Sequence, residues 1–533
     1  MAYDIVVIGG GPAGLFAARL LALRHPDWRV TVHERTDPSH TFGFGVGLTG
    51  GLLTAVMAVD PETAERIQRG SARVPVAEFR LGHSTVRIPG FHRGVAVSRA
   101  GLLDTLVDQA RAAGVRVELD SSVTLEQVGA NADLVIAADG VSSAAREARR
   151  EVFEPTVTLG RGIYMWCGSE AQLEGTVFHP VDTEHGVFTA HAYPYGEGRT
   201  ALVIETDSAA LTSLEAAVGA APVTARDSDE QSLAFLSVAF RELLGGKPLV
   251  GNRSQWFRFS TVRCRRWVDG KVVLLGDAAA NADPSLGSGT KLAMESAIAL
   301  ADALDDEPRS IAEALRAFED ARRPAVDRFQ RWALRSQRWW DSFPRRLDLS
   351  GERIAFAFLS RLEPFSLDAS GPSRGLVRAA VASWAGVSDE ELPDGDLTDW
   401  ILARTLDRPV GAPSCRLVPE SAVADGSALR LTVDLDDPWG EEADAVLERV
   451  RLARAAGAGV VVLDGAHTSA AIDDRIDVAE RIRLETGCAA GVSVGPDAAD
   501  AVASGLVAGR IDFAVRAAVT APRRDGKETA DAH

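Results

Sequence analysis

The chain has 533 residues, 46% hydrophobic and 25% charged, with a formal net charge of −18. That balance excludes a mainly disordered chain and disfavours general binding to nucleic acid or to an anionic membrane surface. The four cysteines, Cys167, Cys264, Cys415 and Cys488, lie far apart with no CxxC. Their spacing excludes a disulfide scaffold and the standard zinc or iron–sulfur patterns, so no metal and a reducing, cytoplasmic setting are expected.

Asp4–Ile8 is a short apolar run rich in β-branched residues and predicts a buried parallel strand. The apolar stretch Ile5–Leu23 is broken by Gly9, Gly10, Gly11, Pro12 and Gly14, and no basic segment precedes it. It predicts strand, tight turn and helix rather than a membrane span or a secretory signal. The turn reads Gly9-Gly10-Gly11-Pro12-Ala13-Gly14, a G-x-G-x-x-G. Gly9 permits the sharp turn, Gly11 admits a pyrophosphate to the helix N-terminus, and Gly14 lets helix and strand pack closely. The helix is predicted from about Pro12 to His25. A second strand, Arg29–His33, ends at Glu34, an acid placed to accept ribose hydroxyls, with Arg35 beside it. A helix over Gly101–Ala113 and strands at Val115–Glu118 and Leu134–Ala138 continue the α/β pattern.

The middle of the chain changes texture. Gly162–Cys167, Gly186–Tyr193 and Thr200–Thr206 predict an antiparallel sheet with little helix between them. The α/β pattern returns with a strand at Lys271–Leu275, a helix from about Thr290 and a long helix over Ile311–Phe343. Within that last helix, Trp332, Trp339, Trp340 and Phe343 predict a face packed on the C-terminal part of the chain. Gly371–Gly395 and Pro409–Pro413 read as linkers. Strands at Leu429–Leu435, Gly459–Leu463, Ala490–Val494 and Ile511–Val515 alternate with helices at Asp444–Ala456, Asp473–Glu485 and Ala498–Ala508. These are parallel βα units, too few for a complete eight-fold barrel. The polar tail from Pro522 is expected to be disordered.

Three more stretches carry chemistry. Ala138-Asp139-Gly140-Val141-Ser142-Ser143 follows a buried strand, Leu275-Gly276-Asp277-Ala278-Ala279-Ala280 follows another, and Pro284-Ser285-Leu286-Gly287-Ser288-Gly289-Thr290-Lys291 opens a helix. With the glycine-rich turn, and in this order and spacing, they resemble the FAD-dependent aromatic hydroxylases, the single-component class A flavoprotein monooxygenases. Arg99 in Val97-Ser98-Arg99-Ala100-Gly101 and the segment Phe318–Pro324 fit the same family. Thr41-Phe42-Gly43-Phe44-Gly45-Val46, His185–Pro194, Val262–Trp267 and Gly287–Glu295 are similar to the aryl-CoA hydroxylase branch, which includes salicyloyl-CoA 5-hydroxylases and anthraniloyl-CoA monooxygenase/reductases. The resemblance covers about residues 1–345. Ala280 stands where the family usually has His. Asp283 stands where this branch has His, and Pro284 where it has an aromatic residue.

The resemblance implies an α/β fold: a Rossmann-type FAD-binding domain with an inserted β-sheet substrate domain. Residues 1–160 and 263–345 would form the two FAD-binding pieces and 161–262 the sheet domain. A helical linker would cover 346–412, and a small βα domain 413–520. The last domain is similar to the closing βα units of old-yellow-enzyme barrels and reads as a shortened, non-catalytic remnant. Implied FAD contacts are Gly9, Gly11, Pro12, Ala13, Gly14, Glu34, Arg35, Phe44, Arg99, Asp139, Asp277, Pro284, Gly287, Ser288, Gly289 and Thr290. Asp277 would bond the ribityl or ribose, Arg99 would pair with the pyrophosphate, and the helix from Thr290 would stabilise negative charge on the flavin ring. His185, His191, Tyr193 and Arg263 are the substrate-side candidates. The competing reading makes His191 and Tyr193 packing residues of one strand face and His185 a turn residue.

The implied reaction takes NADH or NADPH and O2. Reduced FAD would give a C4a-hydroperoxide that passes OH to an electron-rich ring. The preferred substrate is salicyloyl-CoA, hydroxylated at C5 to gentisyl-CoA. One alternative is a tailoring hydroxylase of a free or carrier-bound aromatic, indole or polyketide intermediate. Another is a non-catalytic FAD-binding interaction protein. A second copy of the chain is a candidate partner.

Overall fold

The computed structural model describes residues 3–37, 41, 43–82, 84–88, 94–196, 198–219, 224, 227–305, 310–371, 373–406, 415–423, 428–435 and 437–517. The chain divides into two compact units, Met1–Arg346 and Leu347–His533.

The first unit is built on a six-stranded sheet. Its strand order is Val268–Asp269, Val272–Leu274, Leu134–Ala137, Asp4–Ile8, Arg29–His33 and Arg116–Glu118. All neighbours are parallel except the first pair. Val272–Leu274 pairs with Leu134–Ala137, so two pieces of sequence far apart complete one sheet. The helix Pro12–Arg24 is buried nearly all round, between the helices Gly289–Asp305 and Arg99–Ala112. Burial from several sides explains its membrane-like sequence. No helix among the described residues is long and apolar enough to cross a membrane.

A second, eight-stranded sheet runs Leu249–Val250, Pro155–Ser169, Arg199–Thr206, Gly186–Gly196, Thr176–Thr183, Ala77–Leu81 and Ser84–Arg87, with Phe257–Cys264 also paired to Pro155–Ser169. The sheet thus recruits residues 77–87 from the first FAD-binding piece, beyond the span 161–262 expected for it. The helices Ser208–Val218 and Glu230–Ala239, which the strand-rich reading missed, cover one face through Leu214, Leu233 and Leu236. A three-stranded sheet of Gly45–Leu48, Gly94–Ser98 and Ser71–Val74 completes the unit.

The second unit holds a five-stranded, all-parallel sheet in the order Leu417–Pro419, Phe513–Arg516, Ala489–Val494, Val460–Asp464, Leu429–Thr432. The last four strands neighbour one another in chain order, as in a singly wound barrel, and Leu417–Pro419 returns beside the final strand. The segment expected as a helical linker contains the helices Gly351–Ser360 and Arg374–Ala385, which pack on each other inside this unit. Ile354, Ala355, Phe356, Val377 and Val381 are fully buried there, so the stretch is core rather than tether. Pro409–Pro413 and the tail lie outside the described residues.

Candidate active site

The dinucleotide-type motifs meet at the carboxyl ends of the parallel strands, where open α/β sheets bind their ligands. Gly9 has φ +107°, and a Cβ there would lie 2.3 Å from the carbonyl oxygen of Ala138, so only glycine fits. A Cβ on Gly14 would lie 2.1 Å from the Gly9 oxygen. Gly11 faces open space and caps the helix Pro12–Arg24 without a side-chain bond, leaving first-turn N–H groups for an anion. Glu34 turns back on the loop: Oε2 accepts from Gly10 N at 2.6 Å, and Oε1 accepts from Thr36 N and Oγ1 at 3.0 Å. It shapes the glycine turn as well as ending its strand. Arg35 is exposed beside it.

Asp139 Oδ2 accepts from Ala145 N at 3.1 Å, while its buried Oδ1 has no hydrogen-bond partner. Buried Arg146, not singled out by sequence reasoning, ties this loop to the next. Its Nη2 donates to Val141 O at 2.6 Å and its Nη1 to Ala278 O at 2.9 Å. Asp277 follows the strand Val272–Leu274 in a 3-10 turn, Gly276–Ala278. Its side chain is accessible from the open cleft, yet the surrounding protein desolvates it and raises its carboxyl pKa, opposed by Arg99. Arg99 begins the helix Arg99–Ala112. Its backbone N–H donates to Phe44 O at 2.8 Å, and its guanidinium stands 5.8 Å from the Trp166 ring centre. Burial lowers its pKa, with Asp277 and Tyr193 pulling the other way.

Pro284–Leu286 form a 3-10 turn that ends at Gly287 with φ +60°, and Gly289 opens the helix Gly289–Asp305, with Thr290 next. A Cβ on Gly287 or Gly289 would meet nothing within 4 Å, as at Gly11, Gly47 and Gly140. Ser288 Oγ is buried without a hydrogen-bond partner. Open glycine surfaces, two helix N-termini and the orphaned Asp139 Oδ1 and Ser288 Oγ fit an extended pyrophosphate-bearing cofactor carrying a flat ring. The residues present therefore fit FAD.

Strand register fixes what faces this cleft. Tyr164 pairs with Glu205, Trp166 with Val203, His191 with both Val203 and Phe178, and Tyr193 with Ala201. Directly paired residues share a face, so Tyr164, Trp166, Phe178, His191, Tyr193 and Glu205 stand on one side. Met165, Cys167, Ala190, Ala192, Leu202 and Ile204 stand on the other, against the helices. The Tyr193 hydroxyl donates to Gly45 O at 2.8 Å, and Phe44 packs over Gly168, binding the loop that follows Thr41 to the cleft face. Burial pushes the Tyr193 phenol pKa up, so it stays a donor. His191 Nε2 lies 3.3 Å from Glu205 Oε2, and its ring stands 4.3 Å from that of Trp340.

Two expected substrate residues lie elsewhere. His185 sits at the hairpin between Thr176–Thr183 and Gly186–Gly196, with Nδ1 3.1 Å from Ser213 Oγ and its ring against Phe235 of the covering helices. It is a turn and packing residue. Arg263 lies between buried Val262 and Cys264 on the strand Phe257–Cys264, and that alternation turns its side chain to the exposed side. The aromatic run is also corrected. Trp340 stacks with Phe178 at 5.5 Å, and Phe343 with Phe79 at 6.3 Å, so this face covers the substrate sheet of its own unit. Glu205, Asp341 and Tyr164 were missed, and Asp283 was noted only as a departure from the branch pattern. An acid directly after the apolar run Ala201–Ile204 was the signal available for Glu205.

The FAD binding domain model matches residues 101–333. A second model, the Thi4 family, matches residues 1–70. Salicyloyl-CoA 5-hydroxylase of Streptomyces sp is 40% identical over 364 residues, covering 68% of this chain and 70% of that protein. The 3-hydroxy-4-methyl-anthranilyl-(aryl-carrier protein) 5-monooxygenase of Streptosporangium sibiricum is 36% identical over 350 residues, covering 66% of this chain and 92% of that one. A crystal structure of a 2-methyl-3-hydroxypyridine-5-carboxylic acid oxygenase variant shares the fold, with a TM-score of 0.54 at 23% identity over 68% of this chain and 96% of that one. The cleft and these likenesses agree: the chain belongs to the FAD-dependent aromatic hydroxylases, near the salicyloyl-CoA 5-hydroxylase branch, and is a flavoprotein monooxygenase using FAD, O2 and a nicotinamide reductant.

Proposed function

We propose that this enzyme hydroxylates a 2-substituted benzoyl thioester at C5, with salicyloyl-CoA as the first candidate. The observation that carries the reading is the convergence of the flavin-side loop, through Asp283, with the polar sheet face of Tyr164, His191 and Glu205. A ring held there lies between the cofactor cleft and hydrogen-bonding groups for its substituents. The two relatives by name act on a salicyloyl and a substituted anthranilyl thioester, both at position 5. In both, that carbon is para to an ortho oxygen or nitrogen donor, the carbon such a donor enriches in electrons. A carrier-protein thioester of the same ring is the second reading, favoured by the 36% identical relative.

When bound, FAD supplies electron transfer from the nicotinamide and activation of O2. The Gly9–Gly14 turn and the following helix would hold the pyrophosphate with Arg99, Glu34 and Arg35 would meet the adenosine, and Asp277 would accept from a sugar hydroxyl. The N-terminal N–H groups of Gly289 and Thr290 would favour negative charge on the ring system. Trp166, Phe178 and Trp340 wall the face and exclude water, which strengthens each polar contact inside. His191, paired with Glu205, is placed to take the proton of the ring's ortho donor. The test is NADH and NADPH oxidation with salicylate and salicyloyl-CoA, followed by product mass. A gain of one oxygen on the thioester is the expected result, and stimulation by free or indolic aromatics alone would replace this reading.

A further inference from the structure

The strand Gly45–Leu48 pairs with Gly94–Ser98, which runs straight into Arg99, and it packs on the helix Gly289–Asp305. It is therefore a wall of the cofactor cleft. That wall is soft by sequence, because Gly43, Gly45 and Gly47 stand at alternate positions. Such a segment has a free backbone and few side chains to pack it, so bonds from outside must fix its shape. It lies close against the second sheet. A Cβ on Gly43, at φ +83°, would stand 3.2 Å from the Trp166 ring, and one on Gly45 would stand 2.4 Å from Tyr195 Cβ.

Three residues supply the outside bonds. Arg99 N donates to Phe44 O at 2.8 Å, and the Tyr193 hydroxyl donates to Gly45 O at 2.8 Å. The third is Asn252, whose Nδ2 donates to Thr41 O at 3.2 Å and to Gly43 O at 3.0 Å. Two carbonyl oxygens face this side chain, so only its amide nitrogen suits them. The next residue, Arg253, has φ +56° although its side chain is exposed. A residue with a Cβ is held in that region only at a cost, which points to the work of its neighbours. Asn252 on one side reaches the wall. Ser254 on the other, 2% exposed, donates through Oγ to Trp166 O. The turn is braced from within and without: Asn252 N donates to Ser254 Oγ at 3.1 Å, and Asp229 N to Ser254 O at 2.8 Å.

We propose that Asn252 is a positioning residue of the flavin site. It clasps residues 43–48 against the Trp166 face and so keeps the cofactor cleft closed to water on that side. Tyr193 works with it, as a second clasp on the same wall. The inference holds whichever ring the enzyme hydroxylates.

The test compares FAD-loaded wild type with Asn252→Asp, which keeps the shape and loses the donors, and Asn252→Leu, which has neither donor nor charge. Amide hydrogen exchange should speed up about tenfold at residues 43–48 and at Arg99 in both variants, the effect of losing one or two ordinary hydrogen bonds. The helix Ser208–Val218, on the other face of the sheet, should exchange as in the wild type. Quenching of bound-flavin fluorescence by iodide should rise about threefold or more, because the cleft opens to solvent. Unchanged exchange at residues 43–48 would overturn the proposal. So would an equal rise in Ser208–Val218, which would make Asn252 a general packing residue. A defect in the Asp variant alone would mean a charge effect, and faster exchange without greater quenching would mean that the wall does not shield the flavin; either refutes the assignment. If neither variant folds, Tyr193→Phe removes the bond to Gly45 O alone. It should raise exchange at residues 43–48 about threefold, and no rise there would refute the clasp.

Discussion

Asp277 and Asp283 stand six residues apart on one loop, yet their carboxyls do different work. Asp277 opens to the cleft and faces Arg99, so it is a ready acceptor for a sugar hydroxyl. Asp277→Ala should weaken FAD retention by about tenfold or more, as loss of a charge-assisted bond does; the flavin-to-protein absorbance ratio after dialysis checks it. Asp283 is buried among acids and holds its proton to about pH 7, against an ordinary value of 3.8. Between those values the folded chain binds more protons than the unfolded one, so this residue's contribution to stability falls as pH rises. Asp283→Asn should therefore gain on the wild type by about 2 kcal/mol between pH 5 and pH 8. Urea denaturation at both values measures the difference. His185 shows the limit of reading one residue at a time. Its neighbours in sequence resemble a family motif, but the strand turn sends it to the far side of the sheet.

Elements locate the cofactor cleft through buried links between helices. Arg19, on the helix Pro12–Arg24, is 2% exposed and pairs with Asp60 through Nη2 and Oδ1 at 2.9 Å. Asp60 also caps the helix Pro61–Arg69 by accepting from Thr63 N at 3.2 Å. Asp60→Ala would leave a buried guanidinium with only the exposed Glu62, 3.3 Å from Nη2, as counter-ion, and a helix without its cap, a loss of about 3 kcal/mol. Chemical denaturation should show it as a lower midpoint. The strands and helices around the Rossmann core were legible in sequence because their signals are local: β-branched runs, a glycine turn, capping residues. The helix pair Gly50–Val59 and Pro61–Arg69 and the helices beneath the second sheet were not, because their placement depends on a face they cover rather than on a motif they carry. Gly371–Gly395 misled for the opposite reason, since its turn-forming residues flank the helix Arg374–Ala385.

At the scale of the whole molecule, every residue assigned to the cleft lies between Gly9 and Asp341, inside the first unit. A protein ending at Arg346 should bind FAD and retain ring-stimulated NAD(P)H oxidation, within about threefold of the full chain if the second unit adds no group to the chemistry. Loss of flavin or of stimulation in that protein would give the second unit a part in the site. The second unit's sheet keeps the neighbour order of a singly wound barrel with five strands, and its core draws on the helices Gly351–Ser360 and Arg374–Ala385.

By itself the sequence determined the dinucleotide turn, the parallel strands feeding it and the Asp139 and Asp277 loops. Each is written in residues adjacent along the chain, where backbone sterics and helix-end polarity act over a few bonds. Only the tertiary structure decided the substrate corner. Tyr164, Glu205, Asp283 and Asp341 come from three strands or loops and a helix, and no spacing connects them. Their meeting depends on strand register and on the turn of one long helix, and a shift of one residue in either would face them away from the cleft.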